Sequence, residues 1–303
     1  MSDAQLDVVG VGENSVDLVL RLDARPGFEP GAKTGIRSQD RAVGGQVVTT
    51  LCTCAALGLR AAYVGTFGDD ENGAFVRREL ERRGVDLSGA ATRAAANRLA
   101  VILVDPDGER VVLWSRDPAL RLEPDQLPAP IFERTRLVHV DGVDAQASLH
   151  AARLARRAGA IVTCDLDAGD PDALALFDEV TVPILAEQVP RAITGEPDVE
   201  RALRVLGQRR PGPICVTLGA GGALLLDGGR VHHAPAPRVN AVDTTGAGDV
   251  FRGAFITALL EGQPPPSILR FATAAATVSC MRVGAVGGVP SRADIDAMLS
   301  AGW

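Results

Sequence analysis

Seven consecutive residues combine a glycine-rich backbone with a carboxylate at each end. They are Asp243-Thr244-Thr245-Gly246-Ala247-Gly248-Asp249. Apolar residues recur at three- and four-residue spacing from Val250 to Leu259, which predicts a helix buried along one face. The glycines would then lie at a helix N-terminus, where backbone N–H groups lack intrahelical acceptors and can bind an oxyanion. Asp249 would lie in the first turn, close enough to accept a proton from a hydroxyl that attacks a bound phosphorus. The spacing indicates phosphoryl transfer, and an ordinary helix-capping turn is the alternative.

The elements around this segment must present it at one edge of a sheet. Residues 239–242 predict a strand that enters the helix, and strands alternate with helices from residue 137 to residue 217, which is typical of a doubly wound parallel sheet. Ligands bind beyond the carboxyl ends of such strands. Asn14 and Asp17 follow the first apolar strand, and Gly44-Gly45 precedes a predicted helix. All four residues are therefore candidate ligand contacts. A solvated strand residue is the alternative interpretation of Asp17.

Size and composition favour one large core and a small-molecule partner. The chain has 303 residues, of which 46% are hydrophobic, and its net charge of −7 provides no basic excess for binding a nucleic-acid backbone. No basic leader precedes the first strand and no run of about eighteen apolar residues occurs, so we expect a cytoplasmic protein with no membrane partner. The five cysteines lie in apolar segments, which predicts reduced core thiols, and the four histidines show no metal-ligand spacing.

Several motifs together resemble one family. The seven-residue motif, Gly44-Gly45 followed by a helix to Leu57-Gly58, and the loop Gly68-Asp69-Asp70 are similar to the signatures of the ribokinase family of carbohydrate kinases, also called the PfkB family. The resemblance implies a ribokinase-like α/β fold, with a doubly wound, mostly parallel sheet, helices on both faces and a small β-sheet lid. Residues 1–13, 41–96 and 117–303 would form the nucleotide- and sugar-binding domain, and residues 14–40 and 97–116 would form the lid.

The resemblance also implies an activity and the roles of individual residues. The chain would be an ATP-dependent kinase that transfers the γ-phosphoryl group to a hydroxyl, expected to be primary, of a small sugar such as fructose, ribose or a related keto sugar. Asp249 would be the base, with the amides of Gly246, Ala247 and Gly248 stabilising charge on the phosphoryl group. The sugar contacts would be Asn14, Asp17, Gly44, Gly45, Gln46, Thr49, Arg98 and Arg116. The ATP contacts would be Thr217, Gly219, Gly222 and Thr244. Mg²⁺ would bridge the ATP phosphates, and Asp243 and Thr245 would bind K⁺.

The chain departs from the family pattern at two places. Thr49 stands where relatives usually carry asparagine, which shortens the reach toward a sugar. Ala186 and Val189 stand where many relatives carry the asparagine and glutamate that position hydrated magnesium. Glu187 is adjacent, but neighbouring residues on a helix point about 100° apart. The sulfofructose kinases resemble the chain in both departures, although Trp114 and Val143 fall where those kinases place polar groups.

The substrate class stays open among related alternatives. A phosphosugar would need a cationic pocket, which Arg98, Arg110 and Arg116 could supply. A nucleoside would need an aromatic slot, and only 4% of residues are aromatic. A non-catalytic sugar or nucleotide sensor would fit the missing magnesium element, but it would not need Asp249. The resemblance further implies a homodimer formed through the lid.

Overall fold

The computed structural model describes residues 5–302 and contains fourteen strands in that range. They are β1 (Leu6–Val11), β2 (Ser15–Leu22), β3 (Ile36–Gly44), β4 (Ala61–Val64), β5 (Thr66–Gly68), β6 (Ala91–Arg93), β7 (Leu99–Val104), β8 (Arg110–Ser115), β9 (Thr135–Val140), β10 (Ile161–Leu166), β11 (Val182–Ala186), β12 (Ile214–Thr217), β13 (Ala223–Asp227) and β14 (Arg230–Ala234). The N-terminal segment 1–4 and the predicted domain limit at residue 303 lie outside the described residues.

Ten helices connect these strands in the same range. They are α1 (Gln46–Ala56), α2 (Glu71–Arg82), α3 (Ala129–Phe132), α4 (Ala145–Arg157), α5 (Pro171–Glu179), α6 (Gln188–Thr194), α7 (Val199–Arg209), α8 (Ala247–Leu260), α9 (Pro265–Ser279) and α10 (Arg292–Ala301). None of the described helices is long and apolar enough to cross a membrane. All five cysteines are free and four of them are buried, as predicted for core thiols.

Eight strands form the main sheet, in the order β14-β13-β12-β11-β10-β9-β1-β4. The strands from β12 to β4 run parallel, and β13 and β14 add an antiparallel hairpin at one edge. Apolar side chains of α3 to α7 pack on one face of the sheet. Those of α1, α2 and α8 to α10 pack on the other. The predicted doubly wound, ribokinase-like α/β fold is confirmed.

A second sheet, which we call the lid sheet, contains four strands in the order β3-β2-β7-β8. It is built largely from the two segments predicted as the lid. Strand β3 continues to Gly44, so the predicted boundary after residue 40 divides a strand rather than a loop. The division of the chain into two domains stays a prediction.

The register of the lid sheet separates its two faces. Asp17, Ala100 and Trp114 form one row of cross-strand partners, and the next row contains Val101 and Leu113. Since successive side chains of a strand point to opposite faces, the two rows belong to opposite faces of the sheet. Trp114 therefore shares a face with Asp17, the predicted sugar ligand.

One local prediction was wrong. Residues 239–242 form no strand, because Val242 and Asp243 donate their N–H groups to the carbonyl of Cys280 at the end of α9. Pro235 and Pro237, which lack N–H groups, also prevent continuation of the β14 ladder. Helix α2 begins at Glu71, because the Asp70 side chain caps it by accepting from the N–H of Gly73.

Candidate active site

The N-termini of two helices meet at one end of the main sheet. Gly45 caps α1 at φ +104° and Gly246 caps α8 at φ +73°, conformations that favour glycine. The helices pack closely because Gly253 of α8 has no side chain. A Cβ there would lie 2.5 Å from the Cβ of Thr53 on α1. Thr50 of α1 also donates its hydroxyl to the carbonyl of Asp249, at 3.2 Å. The two glycine-rich segments predicted from sequence therefore lie side by side, each at a helix N-terminus whose first amides have no acceptor within the helix.

Asp249 lies in the first turn of α8 beside a buried ion pair. Asp165, near the carboxyl end of β10, is 1% exposed, and Arg252 of α8 is 4% exposed. Their Oδ1 and Nη2 atoms are 2.5 Å apart. Burial and the Asp165 carboxylate raise the pKa of Asp249 well above its ordinary value, and Arg252 opposes them. Asp249 retains partial access to solvent, so a substrate can reach it.

The glycines at the start of α8 have little room for side chains. A Cβ on Gly246 would lie 2.5 Å from the Cβ of Ala285 and 3.4 Å from Cγ2 of Thr49. A Cβ on Gly248 would lie 2.7 Å from Nη1 of Arg252. The amides of Gly246, Ala247 and Gly248 are thus held at a tightly packed helix N-terminus, the setting in which proteins bind phosphoryl oxygens.

Asp17 faces the start of α1 from the lid sheet. It is 8% exposed, and a Cβ on Gly44 would lie 2.2 Å from its Oδ1. The hydroxyl of Ser15 donates to the same oxygen at 2.9 Å. Burial raises the pKa of Asp17, and the charges of Glu13 and Asp243 act in the same direction. Because few groups of the protein donate hydrogen bonds to it, the Asp17 carboxylate is suited to accept them from sugar hydroxyls.

Asn14 has a different environment from the one predicted for a sugar ligand. It is fully buried and donates its amide hydrogens to the hydroxyl of Tyr63 and the carbonyl of Thr66, at 2.9 and 2.7 Å. Its side-chain oxygen accepts from the amide of Asn97 at 3.1 Å. This geometry joins the end of β1 to the base of the lid sheet, and it leaves no amide hydrogen of Asn14 for a sugar.

The two predicted lid arginines also differ from each other. Arg98 is 4% exposed and donates to the carbonyls of Leu120 and of Thr66 at the start of β5, so its guanidinium is bonded within the protein. Arg116 is partly exposed, and its guanidinium lies 3.1 Å from a Glu13 carboxylate oxygen.

Arg110 is the lid residue that reaches the seven-residue motif. Its guanidinium donates to the hydroxyl of Thr245 at 3.1 Å. The lid sheet therefore touches the start of α8 in this conformation. Nothing in the one-dimensional pattern distinguishes Arg110 from Arg116, the other exposed arginine of the lid segment 97–116, because the contact joins residues 135 positions apart.

Asp243 connects the motif to the segment after α9. Its two carboxylate oxygens accept from the N–H groups of Thr245 and Gly284, each at 2.9 Å. Burial acts to raise the pKa of Asp243, but these hydrogen bonds and the charge of Arg110 outweigh burial and lower the pKa. The described residues contain no group of three or more His, Cys, Asp or Glu side chains that could hold a metal ion. The cation site at Asp243 and Thr245 stays a prediction.

The predicted nucleotide contacts lie after β12. Thr217 ends that strand and donates its hydroxyl to the carbonyl of Leu185 at 3.4 Å. Gly219, at φ +53°, has open space where a Cβ would be, whereas a Cβ on Gly222 would lie 2.0 Å from the carbonyl oxygen of Ala234. Gly222 is therefore required by the turn into the β13–β14 hairpin. Thr244 is exposed before α8.

Two further predicted sugar residues lie on α1. Gln46, its first residue, donates its amide to the Asp167 carboxylate at 3.4 Å. Thr49 is fully buried and its hydroxyl has no hydrogen-bond partner among the described residues. The methyl carbon Cγ2 of Thr49 lies against the start of α8, 3.4 Å from the position that a Cβ on Gly246 would take.

Sequence reasoning missed three charged residues of the site, namely Asp141, Asp165 and Arg252. Asp141 directly follows β9, and its carboxylate accepts from the N–H of Glu13 at 2.7 Å. Burial raises the pKa of Asp141 to about 7, and the Glu13 charge adds to this effect. The signal for the two aspartates was their position at the carboxyl ends of strands. The signal for Arg252 was a charge inside an otherwise apolar helix.

The chain is similar to known carbohydrate kinases over almost its whole length. Residues 5–292 match the pfkB family carbohydrate kinases. The ATP-dependent ribose-1-phosphate kinase of Halopiger xanaduensis is 32% identical over 286 residues, which cover 92% of this chain and 93% of the relative. Probable fructokinase-4 of Arabidopsis thaliana is 28% identical, with 96% of both chains covered. The crystal structure of ribokinase from Thermotoga maritima superposes with a TM-score of 0.85 at 26% identity, covering 97% of this chain and 99% of the other.

Proposed function

Because the chain belongs to the PfkB family and is an ATP-dependent carbohydrate kinase, we propose that it phosphorylates a primary hydroxyl of a small sugar such as fructose, ribose or a related keto sugar. One observation carries the proposal. The Asp249 carboxyl lies in the first turn of α8, beside the amides at the N-terminus of that helix. The Asp17 carboxylate, which faces Gly44 before α1, would accept hydrogen bonds from the other sugar hydroxyls.

The proposed reaction transfers a proton to Asp249 and a phosphoryl group to the sugar. Asp249 accepts the proton of the sugar hydroxyl as its oxygen forms a bond to the γ-phosphorus, and the bond from that phosphorus to the β-phosphate oxygen breaks, releasing ADP. The amides of Gly246, Ala247 and Gly248 stabilise the charge on the transferred group. Closure of the lid sheet, with Arg110 on Thr245, would exclude water and so limit hydrolysis of ATP.

Magnesium fits the site only as an ion held largely by ATP and water. Mg²⁺ usually keeps several waters and binds substrate phosphates with one or two carboxylates. Asp167 after β10 and Glu187 after β11 are exposed carboxylates that fit this role. Ala186 ends β11 and Val189 is fully buried, so neither supplies a ligand in place of the family's asparagine and glutamate. When bound, the ion neutralises phosphate charge.

A phosphosugar is the second candidate substrate. The relative from Halopiger xanaduensis is a ribose-1-phosphate kinase, and Arg110 and Arg116 of the lid could bind a second phosphate group. Arg98 is already committed to carbonyl groups, which reduces the cationic residues available for this role.

The substrate class can be tested by measuring ADP release with ATP and Mg²⁺ across free pentoses and ketohexoses, their phosphates, sulfofructose and nucleosides. We expect the highest kcat/KM with a free sugar, and the product should carry its new phosphate on a primary carbon in ³¹P–¹³C NMR. A preference for ribose 1-phosphate would support the second candidate. Binding of ATP without turnover on any compound would contradict the kinase proposal and favour a sensor.

We also propose that the chain forms a homodimer through the outer face of the lid sheet, opposite Asp17. That face carries six partly or fully exposed apolar residues in two alternate rows, namely Leu18, Leu20, Val101, Leu103, Val111 and Leu113. A contiguous apolar patch of this kind is typical of an interaction surface.

The variant Leu113→Glu is expected to convert the dimer to a monomer, because a carboxylate would be buried without a partner in the interface. Light scattering coupled to size exclusion measures the mass. The matched control is Val205→Glu, since Val205 is a similarly exposed apolar residue on α7. A monomeric wild type, or a dimer that persists in Leu113→Glu, would disprove the lid interface.

A further inference from the structure

Three charged side chains lie together beneath the start of α8. Asp165 and Arg252 are almost fully buried and in direct contact, as described above. Arg252 follows Asp249 by three residues, and side chains at this spacing share one face of a helix. One guanidinium therefore serves two carboxylates, which leaves the cluster with an excess negative charge when both are ionised.

The hydrogen bonding of this cluster is incomplete among the described residues. Both carboxylate oxygens of Asp165 and the Nε of Arg252 lack hydrogen-bond partners, so the contact between them is a charge contact without hydrogen-bond alignment. The Asp165 and Asp249 carboxyl groups lie within hydrogen-bonding reach of each other. Since two ionised carboxylates have no donor between them, that bond forms only when one of them holds a proton.

Other groups that face the cluster do not replace Arg252. Asp17 from β2 and Asp167 after β10 add negative charge. His139 of β9 is neutral, because burial and the Arg252 charge lower its pKa to about 3. Burial raises the pKa of Cys164 on β10 to about 12, so this residue remains a thiol, and Cys215 on β12 is raised in the same way. Arg252 thus supplies the positive charge that opposes these carboxylates.

The glycine at position 248 places this charge directly under the phosphoryl site. A Cβ on Gly248 would lie 2.7 Å from Nη1 of Arg252, so the guanidinium occupies the space that a side chain would fill. The cluster is therefore in contact with the backbone that would bind the transferred group.

We propose that Arg252 and Asp165 are positioning residues for the base: Arg252 keeps Asp249 ionised between turnovers, and Asp165 accepts a hydrogen bond from Asp249 once Asp249 has taken the substrate proton. This inference rests on the proposed function, in which Asp249 is the base. The proton leaves the sugar hydroxyl as the oxygen–phosphorus bond forms, resides on Asp249 next to Asp165, and passes to water when the product leaves.

The acidic limb of the pH profile of kcat/KM tests this role. Removal of a cation favours the neutral acid, so Arg252→Leu is expected to move the limb to higher pH by roughly 1–3 units. Asp165→Asn removes a neighbouring negative charge and should move it to lower pH. Arg252→Lys keeps the charge and should restore the wild-type limb, and the double variant Asp165→Asn/Arg252→Leu should lie between the two single variants.

A second measurement does not depend on turnover. The carboxyl carbon of Asp249, identified by the ¹³C signal missing from Asp249→Asn, can be titrated by NMR in each variant. If no sugar is phosphorylated, the proposed function fails, while the titration still tests the cluster. Equal midpoints in wild type, Arg252→Leu and Asp165→Asn, with only a lower Tm in the variants, would overturn the inference. If Arg252→Leu does not fold, Asp165→Asn decides the outcome in the same way.

Discussion

Replacing Asp249 by asparagine is expected to lower kcat by about 10²- to 10⁴-fold, the contribution usual for a general base. The amide matches the carboxylate in shape but cannot accept the hydroxyl proton. The amides of Gly246 to Gly248 remain in place, so binding of ATP should change little. Steady-state ADP release gives kcat, and calorimetry gives the affinity for ATP in the same preparations.

The stability of this variant provides a control against misfolding. The pKa of Asp249 is raised in the folded protein, because burial and Asp165 disfavour its charged form. The folded state therefore binds more protons than the unfolded state between the two pKa values, and stability falls as pH rises through that window. Asparagine cannot ionise and so avoids this loss of stability. The Tm of Asp249→Asn should therefore equal or exceed that of wild type above neutral pH. A low kcat together with a lower Tm would point to a structural defect, and an unchanged kcat would eliminate Asp249 as the base.

The same comparison separates an enzyme from a sensor. A sensor needs the helix amides to bind an anion but has no use for a base that is destabilised by its surroundings. A large loss of turnover with a gain in Tm would mean that the fold tolerates an unfavourable carboxylate because catalysis requires it.

The parts of the site that could be predicted from sequence are those encoded by adjacent residues. The start of α8 was recognisable because its glycines, Asp249 and the following apolar spacing occur in one segment. The location of Asp17 near this segment could be predicted from its position after the first strand, and its role as a sugar ligand stays a prediction. In both cases a local signal and a general rule about helix N-termini or strand ends were sufficient.

The remaining parts depend on contacts between distant segments. Asp165 and Arg252 are 87 residues apart by their numbering and meet only when α8 packs on β10. The same limit explains Asn14 and Arg98, whose polar groups are taken up by Tyr63, Thr66 and Leu120. A sequence shows that such residues are polar, but it does not show whether the fold has already supplied their partners.

The predicted strand at residues 239–242 failed for a related reason. Its valines fit a strand by composition, yet its N–H groups are used by the carbonyl of Cys280. This connection and the bonds of Asp243 to Gly284 hold the seven-residue motif against the segment after α9. The motif is thus fixed by loop contacts on one side and by α1 on the other, which favours a rigid phosphoryl site beneath a movable lid.

Replacing Gly246 by alanine is expected to lower kcat by about 10²- to 10³-fold, the loss usual when one oxyanion donor is displaced. The backbone of Gly246 has φ +73°, and a Cβ would lie 2.8 Å from the Cα of Ala285. Because the obstacle includes backbone, the start of α8 or the segment near Ala285 must move. Movement of that segment would also disturb the adjacent Gly284, which donates to Asp243. We expect a stability loss of about 1–3 kcal/mol from the strained backbone.

Gly262, just beyond the other end of α8, provides the matched control for this variant. Its φ is +74°, nearly the same as that of Gly246, but a Cβ there would meet no atom within 4 Å. Gly262→Ala should therefore show only the cost of the left-handed conformation, about 1–2 kcal/mol, with kcat unchanged. Urea titrations give the free energies of unfolding, and ADP release gives kcat. If Gly246→Ala loses more stability than Gly262→Ala but keeps the wild-type kcat, the amides at the start of α8 do not stabilise the transferred group, since their displacement would have no catalytic consequence.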